Sequence, residues 1–330
     1  LAIATAGCGG EDAPAAVTAR PMVLGTAPAH PDPHARTTMV ESAGKKGTRL
    51  VVVDLATGRR RVIARSSAVR GGDVGLAGPA FSPSGDQVAA ATAMQSADGR
   101  RMTEVIVAPV DGRDAARRVP GVRLVDVDGY RPVWTPDGRA IAVPRADDDG
   151  IDLIEVRSGR RRNLLSQAGD GVAFAPDGKT YTFNGPGGIW LGDASSGKTR
   201  RIARDARDAT WSPDSQRLAY LSTRDHNGTF AVSEGPRQPA DEIYLADADG
   251  GNPERVTTTT ADESGPLRWT LDGNTIVFSL FTDGRLTVRA LDVTQRCSAG
   301  LTVAAGARPP GGDLEDWDVR ARTGLVTEGC

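Results

Sequence analysis

Short apolar runs alternate with clusters of Gly, Pro, Asp and Ser along most of the chain, a pattern of strands and tight turns. One motif recurs five times: Phe81-Ser-Pro83-Ser-Gly85, Trp134-Thr-Pro136-Asp-Gly138, Phe174-Ala-Pro176-Asp-Gly178, Trp211-Ser-Pro213-Asp-Ser215 and Trp269-Thr-Leu271-Asp-Gly273. The spacings are 53, 40, 37 and 58 residues. Each copy is followed by an apolar strand, as in Ala140-Ile-Ala-Val and Arg217-Leu-Ala-Tyr-Leu. The physics is that of a hairpin. The aromatic ends one strand facing the core, Pro fixes φ, Asp caps the turn and Gly takes positive φ.

A second unit interleaves with the first. It reads Leu50-Val-Val-Val-Asp, Val105-Ile-Val-Ala-Pro, Leu153-Ile-Glu-Val-Arg, Ile189-Trp-Leu-Gly-Asp, Ile243-Tyr-Leu-Ala-Asp and Leu286-Thr-Val-Arg-Ala, six copies in all. Each is a strand leading into a polar turn. The two units together give four strands per roughly 40 residues, which is one propeller blade. The missing first half is expected from residues 20–44, where Met22-Val-Leu and Thr38-Met-Val are strand-like. The expected fold class is therefore all-β, a six-bladed β-propeller of four-stranded antiparallel blades, with seven blades as the alternative. The tail from Leu314 through Trp317 to Arg322 is expected to add a strand that locks the ring.

The aromatic-Ser-Pro-Asp-Gly turn, the Ile-Tyr-x-x-Asp-x-Asp-Gly-Gly strand and turn, and the Arg-Val-Thr that follows resemble the WD40-like repeat of the TolB-like six-bladed β-propellers. The copy from Trp211 to Thr257 is the fullest, and the resemblance covers residues 48–296. It implies an extracytoplasmic scaffold that binds proteins, and it implies no reaction.

Composition narrows the setting. The formal charge is −2, from 40 basic and 42 acidic side chains, which excludes a bulk polycationic nucleic-acid binder. Lysine occurs only at Lys45, Lys46, Lys179 and Lys198, so arginine carries most of the positive charge, spread along the chain. No apolar run is long enough for a transmembrane helix.

The opening Leu1-Ala-Ile-Ala-Thr-Ala-Gly-Cys8 lacks a Met and resembles the end of a bacterial lipoprotein signal, with Thr5 where that motif usually has Leu. Lipidation of Cys8 would anchor the chain on the extracytoplasmic face of a bacterial membrane. Three regions follow: 1–8 as signal-peptide end and lipobox, 9–36 as a Pro-rich flexible tether, and 37–330 as the propeller. Cys297 and Cys330 remain. In an exported protein they are read as a disulfide, with two free thiols as the alternative.

Catalytic and cofactor motifs are weak. Gly192-Asp-Ala-Ser-Ser-Gly197-Lys-Thr199 matches a phosphate loop, but it aligns with the hairpin turns of the other repeats, so no nucleotide is expected. Asp147-Asp-Asp-Gly150 and Asp247-Ala-Asp-Gly250 lack the spacing of a calcium loop. The only histidines are His30, His34 and His226, and there is no C-x-x-C, so neither a zinc site nor any other cofactor is expected.

Function is expected on the face with the long connections. Candidate binding residues are Arg224, Asp225, His226 and Phe230 in the longest loop. Asp128, Asp170, Asp208 and Glu263, each just before or at the start of a blade's first strand, are candidates for an acidic channel mouth. The alternative for these acids is that they cap strand entries or pair with Arg131 and Arg207. The sequence reading is a non-catalytic lipoprotein scaffold binding an envelope protein or peptide. The alternatives are a carbohydrate-active or lactone-hydrolysing enzyme using channel carboxylates, and a small-ligand sensor.

Overall fold

The computed structural model describes residues 19–27, 36–42, 47–54, 57–66, 75–95, 101–122, 124–125, 130–145, 150–166, 169–226, 228–230, 238–257, 262–282, 285–300 and 317–320. Every regular element among them is a strand. Sheet I holds β1 (Arg36–Ser42), β2 (Thr48–Asp54) and β3 (Arg60–Arg65). Sheet II holds β4 (Gly75–Phe81), β5 (Gln87–Gln95), β6 (Arg101–Pro109), β7 (Arg117–Arg118) and β8 (Leu124–Val125). Sheet III is β9 (Val133–Trp134), β10 (Ala140–Pro144), β11 (Ile151–Glu155) and β12 (Arg161–Leu165). Sheet IV is β13 (Asp170–Phe174), β14 (Thr180–Gly185), β15 (Gly188–Asp193) and β16 (Thr199–Arg204).

Sheet V contains β17 (Ala206–Trp211) and β18 (Arg217–Ser222). After the small hairpin β19 (Thr229–Phe230) and β20 (Gln238–Pro239), it continues with β21 (Glu242–Asp247) and β22 (Glu254–Arg255). Sheet VI is β23 (Asp262–Trp269), β24 (Thr275–Thr282), β25 (Arg285–Asp292) and β26 (Cys297–Gly300). The last strand, β27 (Trp317–Arg320), pairs antiparallel with β1, from Arg36↔Arg320 to Met39↔Trp317. It takes the place in sheet I that the first strand takes in the other sheets, as the tail was expected to do.

The expectation of six four-stranded blades, with seven as its alternative, is corrected: the propeller has five four-stranded blades. The remaining sheet, II, is five-stranded. Its β6 is nine residues long, and β7 covers it only at Ile106 and Val107. The uncovered edge at Met102 and Thr103 is taken by β8.

The core lies between successive sheets. Leu50, Val52, Leu76, Val88 and Ile106 pack between I and II. Ala89, Val105, Trp134 and Ile141 pack between II and III, and equivalent clusters follow around the molecule. Sheets buried on both faces need apolar residues at every strand position, which is why Leu50–Val53 reads as one unbroken run. Few aromatics are needed, because Ala and Val fill the close spaces between sheets.

The repeated turns form as expected. Thr135 Oγ1 donates to Asp137 Oδ1 at 2.7 Å, and the Arg139 N–H donates to the same oxygen at 3.1 Å. Ser212 and Asp214, and Thr270 and Asp272, repeat the arrangement. Gly138, Gly178 and Gly273 have φ near +70°, which suits only glycine at low cost. In each of sheets II to VI an N–H of the second turn reaches a carbonyl of the first, as Val156 N to Arg139 O at 2.9 Å. Both tight turns therefore share one face.

Residues 19–27, within the stretch expected as a tether, lie against the sheets. Ala19 bridges to Leu165, the Met22 N–H donates to Ala194 O at 2.6 Å, and the Ala27 N–H donates to Pro176 O at 2.7 Å. Leu24 is 1% exposed, packed with Ala140, Tyr181 and Ala194. Met22-Val-Leu is thus not a blade strand. It is an extended segment seated between sheets III and IV. Residues 1–18 and 28–35, with Cys8, lie outside the described residues, as does Cys330.

Candidate functional site

The innermost strands of sheets II, IV, V and VI each carry a bulge, and in II, IV and V the bulged residue lies three before the aromatic that opens the turn motif. The bulged residue has positive φ: Gly78 at 56°, Gly171 at 57° and Asp208 at 56°. Of these three, only sheet V has a side chain there. Holding a non-glycine residue in this region costs on the order of 1 kcal/mol or more.

That side chain is the centre of a polar relay joining sheets IV and V. Asn184 Nδ2 donates to Asp170 Oδ1 at 2.8 Å and to Asp208 Oδ1 at 3.1 Å. The Asp208 N–H donates back to Asn184 Oδ1 at 2.9 Å. Arg207 Nη1 reaches Asp208 Oδ2 at 2.6 Å, and its Nε and Nη2 reach Asp241 Oδ2 at 3.1 and 2.5 Å. Burial opposes the charge on Arg207, but Asp241 and Asp208 outweigh it and hold the guanidinium above its ordinary pKa. The Asp208 carboxylate is 31% exposed and Asp241 only 6%. The relay thus presents Asp170, Asp208 and Arg207 to solvent on a buried Asp241 base.

The long-loop candidates form a separate group. Arg224 lies over the Tyr244 ring, its Cζ 3.9 Å from the centroid. Asp225 pairs with Arg255. His226 is exposed at φ 52°, its N–H donating to Thr223 O at 3.0 Å. Arg224 and Asp225 are thereby fixed against β21 and β22, in the outer half of sheet V, whereas Asp170 and Asp208 stand on innermost strands. Phe230 pairs with Gln238, and Glu263 pairs with Leu280 in sheet VI, both as backbone positions whose side chains lie outside the described residues. The same holds for Cys297, which pairs with Asp292. Asp128 and Asp147–Asp149 also lie outside the described residues.

Gly192–Thr199 is a hairpin turn between β15 and β16. Asp193 Oδ1 accepts from Ser195 Oγ at 2.7 Å, Ser196 N at 2.7 Å and Ser196 Oγ at 2.9 Å. The helix that a phosphate loop needs is replaced by a strand.

No family model matches the chain. Over 114 residues it is 25% identical to Tricorn protease homolog 1 of Streptomyces coelicolor. That match covers 34% of this chain and 10% of the relative, so it spans about a tenth of the relative's length. Among solved structures, one assigned as TolB from Agrobacterium tumefaciens superposes with TM-score 0.55 at 16% identity, over 81% of this chain and 89% of the other. TolB from Acinetobacter baumannii gives 0.50 at 19% identity, over 83% and 70%. The fold is that of a TolB-like β-propeller. An oligogalacturonate lyase in complex with manganese also shares it, with TM-score 0.55 at 16% identity over 90% and 81%. The TolB-like architecture thus serves proteins of different kinds, and this propeller's role rests on its own side chains.

Two parts of the TolB-like propeller's surface escaped the sequence reading. Asn184 belongs to no motif, and Asp241 was read only as part of the fullest repeat copy, although aligning Gly171 with Asp208 across the repeats does mark the bulge. The second part is a cavity of about 590 Å³ on the turn face between sheets II and III, lined by residues of the turns themselves.

Proposed function

We propose that this chain is an extracytoplasmic binding propeller, held at a membrane through a lipidated Cys8, that captures a segment of an envelope protein or peptide on its loop face. The carrying observation is the Asp170–Asn184–Asp208–Arg207–Asp241 relay. Its charged groups are fixed by one another before any ligand arrives, so little ordering cost falls on binding. Three carboxylates against one guanidinium leave the group net negative, which suits a polypeptide segment carrying basic side chains.

A channel enzyme built on the same acids would need them free to meet a substrate, whereas Arg207 already engages Asp208 and Asp241 in ion pairs. The fold likeness to TolB supports the binding reading, and the likeness to a lyase keeps an enzyme as its rival.

The test is in-cell crosslinking with mass spectrometry on the native protein, beside Cys8→Ser and Asp170→Asn/Asp208→Asn variants. The proposal expects one dominant partner, lost with the double variant and reduced when Cys8→Ser removes the anchor. Diffuse, abundance-weighted adducts unchanged by the double variant would overturn it.

A further inference from the structure

We infer that the turn-face groove between sheets II and III binds an extended peptide segment, seated as residues 19–27 are seated between sheets III and IV, with an acidic side chain against Arg117 and Arg157.

The two grooves are built from equivalent parts. Between III and IV, the segment 19–27 passes over Gly197, bonds to Ala194 O and ends on the Pro176–Gly178 turn, with Gly25 against Asp137. Between II and III the same places are held by Gly159, Val156, the Pro136–Gly138 turn and Ser84. The equivalence is shown by hydrogen bonding: Val156 N bonds to Arg139 O at 2.9 Å as Ala194 N bonds to Lys179 O at 2.8 Å. Even the outer end corresponds. A Cβ on Gly197 would meet Ala19 O at 2.9 Å, and one on Gly159 would meet Pro120 at 2.8 Å. The loop at Pro120 and Gly121 therefore covers the outer end of this groove as Ala19 covers that of the next. The inner part of the II–III groove is the 590 Å³ cavity, in the size range of ligand clefts (about 300–1,000 Å³).

The lining decides the ligand. Each lining acid is already bound by a neighbour: Asp86 by Ser82 and Ser84, Asp137 by Thr135, Glu155 by Ser158 and Arg160. The bases differ. Arg117 spends Nη1 on Val156 O at 2.9 Å, the carbonyl equivalent to the one that Met22 occupies next door. Arg157 is exposed and bonded to no described residue. A segment crossing this groove therefore meets two guanidinium groups where residues 19–27 meet an apolar floor, and an acidic residue replaces the buried Leu24. The loop-face reading is independent of this site.

The probes are two fluorescein-labelled peptides with the sequence of residues 19–27, one carrying Leu24→Asp and one unaltered, titrated into the native protein by fluorescence anisotropy. The acidic peptide is expected to bind saturably and more tightly than the unaltered one. Arg157→Glu is expected to weaken it about tenfold, and Arg117→Glu likewise. Asp170→Asn/Asp208→Asn is expected to leave it unchanged. Arg157 is exposed, so its variant keeps the test valid if Arg117→Glu disturbs folding. Absence of saturable binding, equal binding of both peptides, or indifference to Arg157→Glu overturns the inference.

Discussion

The indole nitrogen of Trp134 donates to the carbonyl of Ala80 at 3.1 Å, tying the innermost strand of sheet III to that of sheet II. Trp211 repeats the bond on Ala173 at 3.2 Å, from sheet V to sheet IV. In the third tryptophan copy, Trp269, the buried Nε1 has no hydrogen-bond partner among the described residues, and Arg217 lies over the ring 5.1 Å from its centroid. The aromatic that opens each turn motif thus fills space between sheets and, in two copies, clasps the preceding sheet.

Trp134→Phe is expected to destabilise the protein by about 1–3 kcal/mol, because it leaves a buried carbonyl without its donor. Trp269→Phe is expected to cost less, since no such bond is lost. Urea unfolding midpoints at constant m value check the difference. Equal losses would mean that the clasp contributes nothing beyond packing.

Asp208 sits where two sister sheets use glycine. Asp208→Gly relieves the positive-φ strain but removes the relay, whereas Asp208→Ala removes the relay and keeps the strain. Asp208→Gly is expected to be the more stable of the two by about 1 kcal/mol. Thermal unfolding of both variants decides it, and the reverse order would show that the bulge is not strained.

Leu24 is the buried anchor of segment 19–27. Leu24→Asp is expected to release that segment while the sheets stay folded, because the sheet cores exist apart from it. Hydrogen exchange at Met22 and Ala27 should rise at least tenfold, about 1.4 kcal/mol of local protection, with protection in β14 unchanged. Loss of protection throughout would instead make the segment part of the global fold.

Acid stability should follow the turn carboxylates. Burial raises the pKa of Asp214, but the Ser212 hydroxyl, the Gln216 N–H and the Arg217 charge together hold it below its ordinary value. Asp193 is likewise lowered, chiefly by the Ser195 hydroxyl and the Ser196 donors. A carboxyl with a depressed native pKa contributes stability that is fully present above its unfolded value. That contribution fades as pH falls through the native value, so the loss should begin below about pH 4. Asp193→Asn/Asp214→Asn should show a shallower acid-side decline in unfolding midpoint than the native protein. An unchanged slope would deny these turns a part in it.

The architecture was legible because the turn chemistry is local. Thr135, Asp137 and Gly138 satisfy one another within four residues, so their spacing alone marks the hairpin, and near-identical letters recur in sheets II to VI. What escaped depends on contacts distant in sequence. Three apolar residues, Met22-Val-Leu24, carry no period that separates a blade strand from a segment laid across two sheets. The fifth strand of sheet II follows from the length of β6 relative to β7, which the pattern around Arg101–Pro109 does not reveal. At the candidate site the acids Asp170 and Asp208 were visible near the starts of the first strands of two successive sheets. Their link through Asn184 was not, because an amide inside an apolar strand has no motif, and its partner in the neighbouring sheet is 24 residues away.

The most direct measurement of the central claim places a photo-crosslinking amino acid in cells at Asp170 on the loop face and, as a comparison, at Asp249 in a turn of sheet V. The account predicts one discrete adduct with an envelope protein from position 170 and none of that species from position 249. The same adduct from both positions, or none from position 170, would contradict it.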